Sequence, residues 1–135
     1  MRKLLSLFVL ITIFSCNDND PDFVEGLEYE LKVDETLNFS DENLSIFLSS
    51  DIEDTRCADG TNCIEAGFVK INLSVNDRTG NYNFSLASIP NPDGFLISYE
   101  LQDHIITLVD VIPYPTATGR INPSERRAIL KIVRK

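Results

Sequence analysis

Phe68-Val69-Lys70-Ile71-Asn72-Leu73-Ser74-Val75 decides the fold. Val69, Ile71, Leu73 and Val75 alternate with Lys70, Asn72 and Ser74. Successive side chains of an extended chain point to opposite faces, so this period of two describes a strand with one face in a core and one in water. Leu44-Ser45-Ile46-Phe47-Leu48-Ser49 repeats the pattern, as do Tyr29, Leu31 and Val33 near the start and Ala128, Leu130 and Ile132 near the end. His104-Ile105-Ile106-Thr107-Leu108-Val109-Asp110-Val111 is apolar on both faces for most of its length, which predicts a strand in the middle of a sheet. No stretch carries a helical stripe longer than two turns.

The breaks between these runs have their own chemistry. Asp77-Arg78-Thr79-Gly80-Asn81 predicts a hairpin turn into Asn81–Leu86, because Gly and Asn tolerate positive φ. Ile89-Pro90-Asn91-Pro92-Asp93-Gly94 removes two amide donors and ends pairing until Phe95 to Glu100. Pro113-Tyr114-Pro115 through Pro123 is the second long break. Seven or eight short strands at this spacing predict an all-β, two-layer antiparallel β-sandwich, immunoglobulin-like or related, with a partly open β-barrel as the alternative of equal local pattern.

The N-terminus reads differently. Arg2 and Lys3, an apolar run from Leu4 to Phe14 and Ser15 before Cys16 have the charged, apolar and cleavable parts of a secretory signal. Eleven apolar residues make only about 16 Å of helix against a hydrocarbon core of roughly 30 Å, too short to span. Ile13-Phe14-Ser15-Cys16 resembles a permissive bacterial lipobox, which implies that residues 1–15 are a lipoprotein signal peptide and that Cys16 becomes the acylated first mature residue. Several acyl chains on one residue hold a protein on a bilayer where a single chain releases it. Residues 16–27, opening Asn17-Asp18-Asn19-Asp20-Pro21-Asp22, are then expected as an acidic flexible tether, with residues 28–135 as one domain. An acidic stretch after such a cysteine resembles the surface-display signal of Bacteroidota lipoproteins; a plain soluble linker is the other reading. The expected location is the bacterial outer membrane, on its periplasmic or its exposed face.

Composition narrows the partners. The formal net charge is −9, and losing residues 1–15 removes two bases and no acid. Such a chain is repelled by phosphate backbones, so nucleic acid is excluded as a partner. Acidic residues crowd residues 16–65, where only Lys32 and Arg56 oppose them; solubility explains this, and a cation or basic partner is the rival reading.

With Cys16 acylated, Cys57 and Cys63 remain as an even pair in an exported chain, and a disulfide is expected. In the chain-entropy account, closing so short a loop stabilises by roughly 2.4 kcal/mol. Two cysteines and a distant lone histidine do not make a zinc set, and five intervening residues are not the spacing of a thiol oxidoreductase. The pair sits in Asp54-Thr55-Arg56-Cys57-Ala58-Asp59-Gly60-Thr61-Asn62-Cys63-Ile64-Glu65-Ala66-Gly67, where Asp59-Gly60 is expected as a turn that pins a crossover before the Phe68 strand and Asp54 as a local partner of Arg56. Calcium is the functional alternative for this acidic loop, since Asp51, Glu53, Asp54, Asp59, Asn62 and Glu65 are hard oxygen ligands; their spacing is not that of an EF-hand.

This segment resembles a group of uncharacterised small secreted proteins and lipoproteins, common in Bacteroidota, with the pattern Asp-Ser-Arg-Cys-Pro, a short loop, then Cys-Ile-Trp-Ala-Gly. Thr55, Ala58 and Glu65 depart from it. Val111-Ile112-Pro113-Tyr114-Pro115 resembles the group's later Pro-Tyr-Pro segment. The resemblance implies a small β-rich fold with a disulfide loop and supplies no activity.

Catalytic signals are few. His104 is the only histidine and opens an apolar strand, where a hydrogen-bonded structural role is expected. No serine sits in a nucleophile elbow, and there is no glycine-rich phosphate loop. The Asn-x-Ser triplets at Asn38, Asn43, Asn72 and Asn83 lie in strand-like stretches. The sequence therefore reads as a non-enzymatic binding or accessory module without metal or cofactor, held to a membrane through Cys16, with a protein or glycan partner. Its candidate binding loops carry Asp54, Arg56, Asp59 and Tyr114. The alternatives are a protease-inhibitor-like protein presenting one rigid loop and, third, a small hydrolase.

Overall fold

The computed structural model describes residues 20–90 and 94–135. The leader, Cys16 and the middle of the Ile89–Gly94 break lie outside the described residues. The chain forms two antiparallel sheets that face one another and do not close into a barrel, which decides for the sandwich.

One sheet runs in the order β1 (Glu28–Lys32), β9 (Arg127–Arg134), β8 (His104–Ile112), β7 (Ser98–Glu100). The other is built on β5 (Val69–Asp77), paired along one edge with β6 (Gly80–Ala87). Along its other edge β3 (Leu44–Leu48) pairs with the C-terminal half and β4 (Glu53–Asp54) with the first two residues, while β2 (Thr36–Phe39) pairs with β3. The alternating residues that announced the fold, Val69, Ile71, Leu73 and Val75, are all buried. They meet Leu44, Ile46 and Leu48 from β3, and Ile106, Leu108, Leu130 and Ile132 from the facing sheet, in one core.

The predicted hairpin between β5 and β6 is present, but its cause differs from the one expected. Gly80 takes positive φ and Asn81 does not. The Asp77 carboxylate holds the turn, accepting from Thr79 N at 2.7 Å, Thr79 Oγ1 at 2.6 Å and Gly80 N at 3.1 Å. β8 is an interior strand as predicted, although its second face is only partly covered because no third layer packs on it. The end of its apolar run has another cause. The register with β9 slips between Leu108 and Asp110, and the extra residue Val109 lets both Leu108 and Val111 enter the core. Asp110 is thereby turned outward, towards the Cys57 loop.

The tether expected over residues 16–27 is shorter than that on its C-terminal side. Phe23 packs edge-on against Phe39 and His104, with centroids 5.5 and 5.8 Å away, and Gly26 N donates to Ile132 O at 3.1 Å. The acidic composition of the stretch concealed one aromatic anchor.

Candidate functional site

The Cys57 loop and the Pro113–Pro115 segment come together at one end of the sandwich. Thr55 prolongs β4 by donating from N to Phe68 O at 2.8 Å. Its hydroxyl donates to the same carbonyl and accepts from Phe68 N, both at 3.1 Å. Close approach of these two chains requires Gly67, where a Cβ would stand 1.7 Å from Thr55 O. The disulfide between Cys57 and Cys63 is formed. Inside it Thr61 N donates to Ala58 O at 3.1 Å, and Gly60, at φ +81°, occupies the turn position that favours glycine.

Backbone bonds then zip this loop to the second one. Asp59 N donates to Pro115 O at 2.9 Å, and Ala117 N donates to Asp59 O at 3.3 Å. Beneath them, Arg56 donates to both oxygens of Asp54, from Nε at 2.9 Å and Nη2 at 2.8 Å, the paired geometry in which a guanidinium binds a carboxylate best. Its Nη1 donates to Asp110 Oδ1 at 3.0 Å, and Arg126 Nη1 donates to Asp54 Oδ2 at 3.0 Å. The Arg56 guanidinium carbon lies 4.5 Å from the Tyr114 ring centroid, a cation–π contact.

All four residues singled out from the sequence, Asp54, Arg56, Asp59 and Tyr114, thus belong to one assembly, but they divide by role. The side chains of Asp54 and Arg56 are 2% and 5% exposed and brace the loops from within. Tyr114 is 41% exposed, and Ile64, just after the disulfide, is fully exposed. Burial alone would raise the Asp54 carboxyl, but the hydrogen bonds and charge of Arg56, with the charge of Arg126, hold it below the ordinary aspartate range. Burial works against the Arg56 guanidinium as well, and Asp54 and Asp110 more than offset it, raising its affinity for its proton.

Asp110 and Arg126 were not singled out from the sequence. A lone carboxylate inside the apolar His104–Val111 run was the available signal for Asp110. Nothing local distinguishes Arg126 from its neighbour Arg127.

The carboxylates weighed as calcium ligands are dispersed among other partners: Asp51 accepts from Asn72 at 3.1 Å, Glu53 pairs with Lys70 at 2.6 Å, and Asp54 faces the arginines. Among the described residues no three His, Cys, Asp or Glu side chains converge on one point.

His104 is 1% exposed, with Nε2 3.1 Å from Glu42 Oε2, so the residue is buried and hydrogen-bonded. Glu42 also accepts from Arg134, whose guanidinium carbon lies 4.9 Å from the Phe23 ring centroid. The Arg134 hydrogen bond, helped by His104 and opposed by partial burial, holds the Glu42 carboxyl below the ordinary glutamate range.

Fold and site together define a small all-β protein, a two-sheet sandwich whose disulfide loop is tied to a proline-flanked tyrosine loop by a buried arginine. No protein-family model matches the chain, and neither a curated protein nor a solved structure is detectably similar to it.

Proposed function

We propose that this chain is a lipid-anchored protein of the bacterial cell envelope and that it serves as a non-catalytic binding or accessory module. The address rests on the export leader that stops at Cys16, and a disulfide between Cys57 and Cys63 suits an oxidising compartment. The binding role rests on one observation: Arg56 bridges the two candidate loops from a buried position while Ile64 and Tyr114 stay exposed. A surface whose loops are already fixed loses little conformational entropy on meeting a partner. Anchoring a braced loop pair to a membrane suits capture of a protein or glycan partner at the envelope. The motif's likeness to small secreted Bacteroidota proteins points to the same setting.

Two measurements test this reading. Metabolic labelling with an alkyne fatty acid should mark the wild-type protein and leave Cys16→Ser unlabelled; label retained in the variant defeats the anchor. A photo-crosslinking residue placed at Ile64 or Tyr114 in cells should give a discrete adduct that the same residue at Glu30 does not. Absence of an adduct at both loop positions defeats the binding surface. The rigid-loop inhibitor is the second reading, favoured by the exposure of Ile64 beside the disulfide. Nanomolar inhibition across a protease panel would select it.

A further inference from the structure

The solvent faces of the two sheets differ in chemistry. On the first sheet the outward residues of β1 are Glu28, Glu30 and Lys32, and β9 adds Arg127 and Lys131, with the aliphatic Ile105, Ile129 and Val133 half-buried among them. The second sheet carries its charge at one end, in the Lys70–Glu53 pair at 2.6 Å, and none in the three rows beyond it. Its register places Asn38, Ser45, Asn76 and Asn81 in one row across four strands. The next row is Thr36, Phe47, Ser74 and Asn83. Beyond it stand Asn72 and Ser85. Three of the four Asn-x-Ser triplets read in the sequence start from this face, at Asn38, Asn72 and Asn83.

Asparagine is a poor strand former, so a sheet face built from it forgoes local preference that threonine or valine would serve better. Part of the face is already ordered: Ser74 Oγ donates to Asn83 Oδ1 at 2.7 Å, and Ser85 Oγ donates to Asn72 Oδ1 at 2.5 Å. Asn72 Nδ2 donates in turn to Asp51 at 3.1 Å. Among the described residues the carboxamides of Asn38, Asn76 and Asn81 have no protein partner. Two shallow grooves of about 310 and 410 Å³ run over this surface, one beside Asn38 and Asn76, the other beside Asn72 and Asn83. Phe47, half-buried, lies in the row between Asn76 and Asn72 and faces the same side.

We propose that this face binds a neutral polysaccharide. Carboxamides and hydroxyls each donate and accept, which matches the alternating donors and acceptors of sugar hydroxyls. Phe47 offers the one apolar, flat surface on which a pyranose ring can lie. Charge excludes the rival ligands. No lysine or arginine stands in the three rows to hold phosphate, sulfate or uronate, while Asp51 and Asp20 border the grooves and repel anions. The proposal gives a ligand class to a binding module, but it concerns a surface that does not include Ile64 or Tyr114, and its test is separate from theirs.

Affinity electrophoresis of the full-length protein in a polyoxyethylene detergent, free of sugar headgroups, provides the test. Gels would contain starch, barley β-glucan, arabinoxylan or galactomannan, with alginate as the charged control. At least one neutral polymer should retard the wild type, and alginate should not. Phe47→Thr and Asn76→Thr, which keep or raise strand preference, should each weaken that retardation at least tenfold with the melting temperature retained. Ile64→Ser and Tyr114→Ala should leave it unchanged, which separates this face from the loop surface. Retardation by none of the four neutral polymers, equal retardation by alginate, or insensitivity to both face variants overturns the proposal.

Discussion

Asp54 and Arg126, seventy-two positions apart in the chain, meet through a 3.0 Å hydrogen bond from Arg126 Nη1 to Asp54 Oδ2. That bond ties β4 to the segment entering β9, so the same carboxylate that grips Arg56 also joins the two sheets. Replacing it leaves Arg56 buried without its bidentate partner. Removing one member of a buried ion pair costs about 3–5 kcal/mol, because the remaining charge stays desolvated. Asp110 still accepts from Arg56 Nη1 at 3.0 Å, so Asp54→Asn should lower the urea midpoint by the equivalent of about 3 kcal/mol, the lower end of that range. Glu35→Gln, which deletes an exposed pair with Lys32 at 3.8 Å, should change stability by less than about 1 kcal/mol.

The same carboxylate sets part of the acid response. Asp54 and Glu42 both bind protons less readily in the folded protein than their ordinary values imply. A carboxyl lowered on folding contributes stability that is complete above its unfolded value, about 4, and is lost as pH falls through the lower folded value. Melting temperature should thus hold from neutral pH to about 5 and fall below about 4. Asp54→Asn should show a shallower acid limb from a lower plateau; an acid limb as steep as the wild type's would assign the response to other groups.

Gly67 supplies a prediction of opposite kind, since nothing is lost there but room. A Cβ at this position would stand 1.7 Å from Thr55 O and 2.2 Å from Thr55 C, both backbone atoms that cannot swing aside. Gly67→Ala must part Thr55 from Phe68 and break the 2.8 Å bond between them. Overpacking of this kind costs typically 1–3 kcal/mol, and a rigid obstacle puts this case at about 3 kcal/mol. Amide exchange should accelerate at Thr55 and in the Cys57–Cys63 loop before it does in β8.

How much of this was legible beforehand depended on where the cause lay. The strands carrying Val69, Ile71, Leu73 and Val75 or Ala128, Leu130 and Ile132 were readable because burial of one face imposes a period of two on the sequence itself. β2 and β4 were not, since Thr36–Phe39 and Glu53–Asp54 are too short to show a period and owe their extension to β3 and β5. The candidate loops were legible one by one, through Asp54, Arg56, Asp59 and Tyr114, yet neither their meeting nor the inward direction of Arg56 was. That direction depends on Asp110, which the bulge at Val109 turns towards it, and a register slip leaves no local trace. Phe23 was hidden by its acidic neighbours for the same reason: what holds it, Phe39 and His104, lies far along the chain.

Phe23 is accordingly the position at which the boundary of the domain is tested. Its ring meets Phe39 at 5.5 Å and His104 at 5.8 Å and lies under the Arg134 guanidinium, which also donates to Glu42. Were the segment a tether, Phe23→Ala would cost nothing. In the structure it uncovers part of Phe39 and the imidazole that otherwise lies 1% exposed beside Glu42. A half-buried phenyl ring contributes about 1–2 kcal/mol of apolar burial, less than a fully enclosed one. Phe23→Ala should lower stability by that amount in denaturant titration, and the adjacent Val24 and Gly26 amides should exchange faster, because Val24 N donates to Tyr29 Oη at 2.6 Å and Gly26 N to Ile132 O only while the segment stays docked. Val24→Ser, a neighbouring change on a residue already half exposed, should leave both readings near wild type.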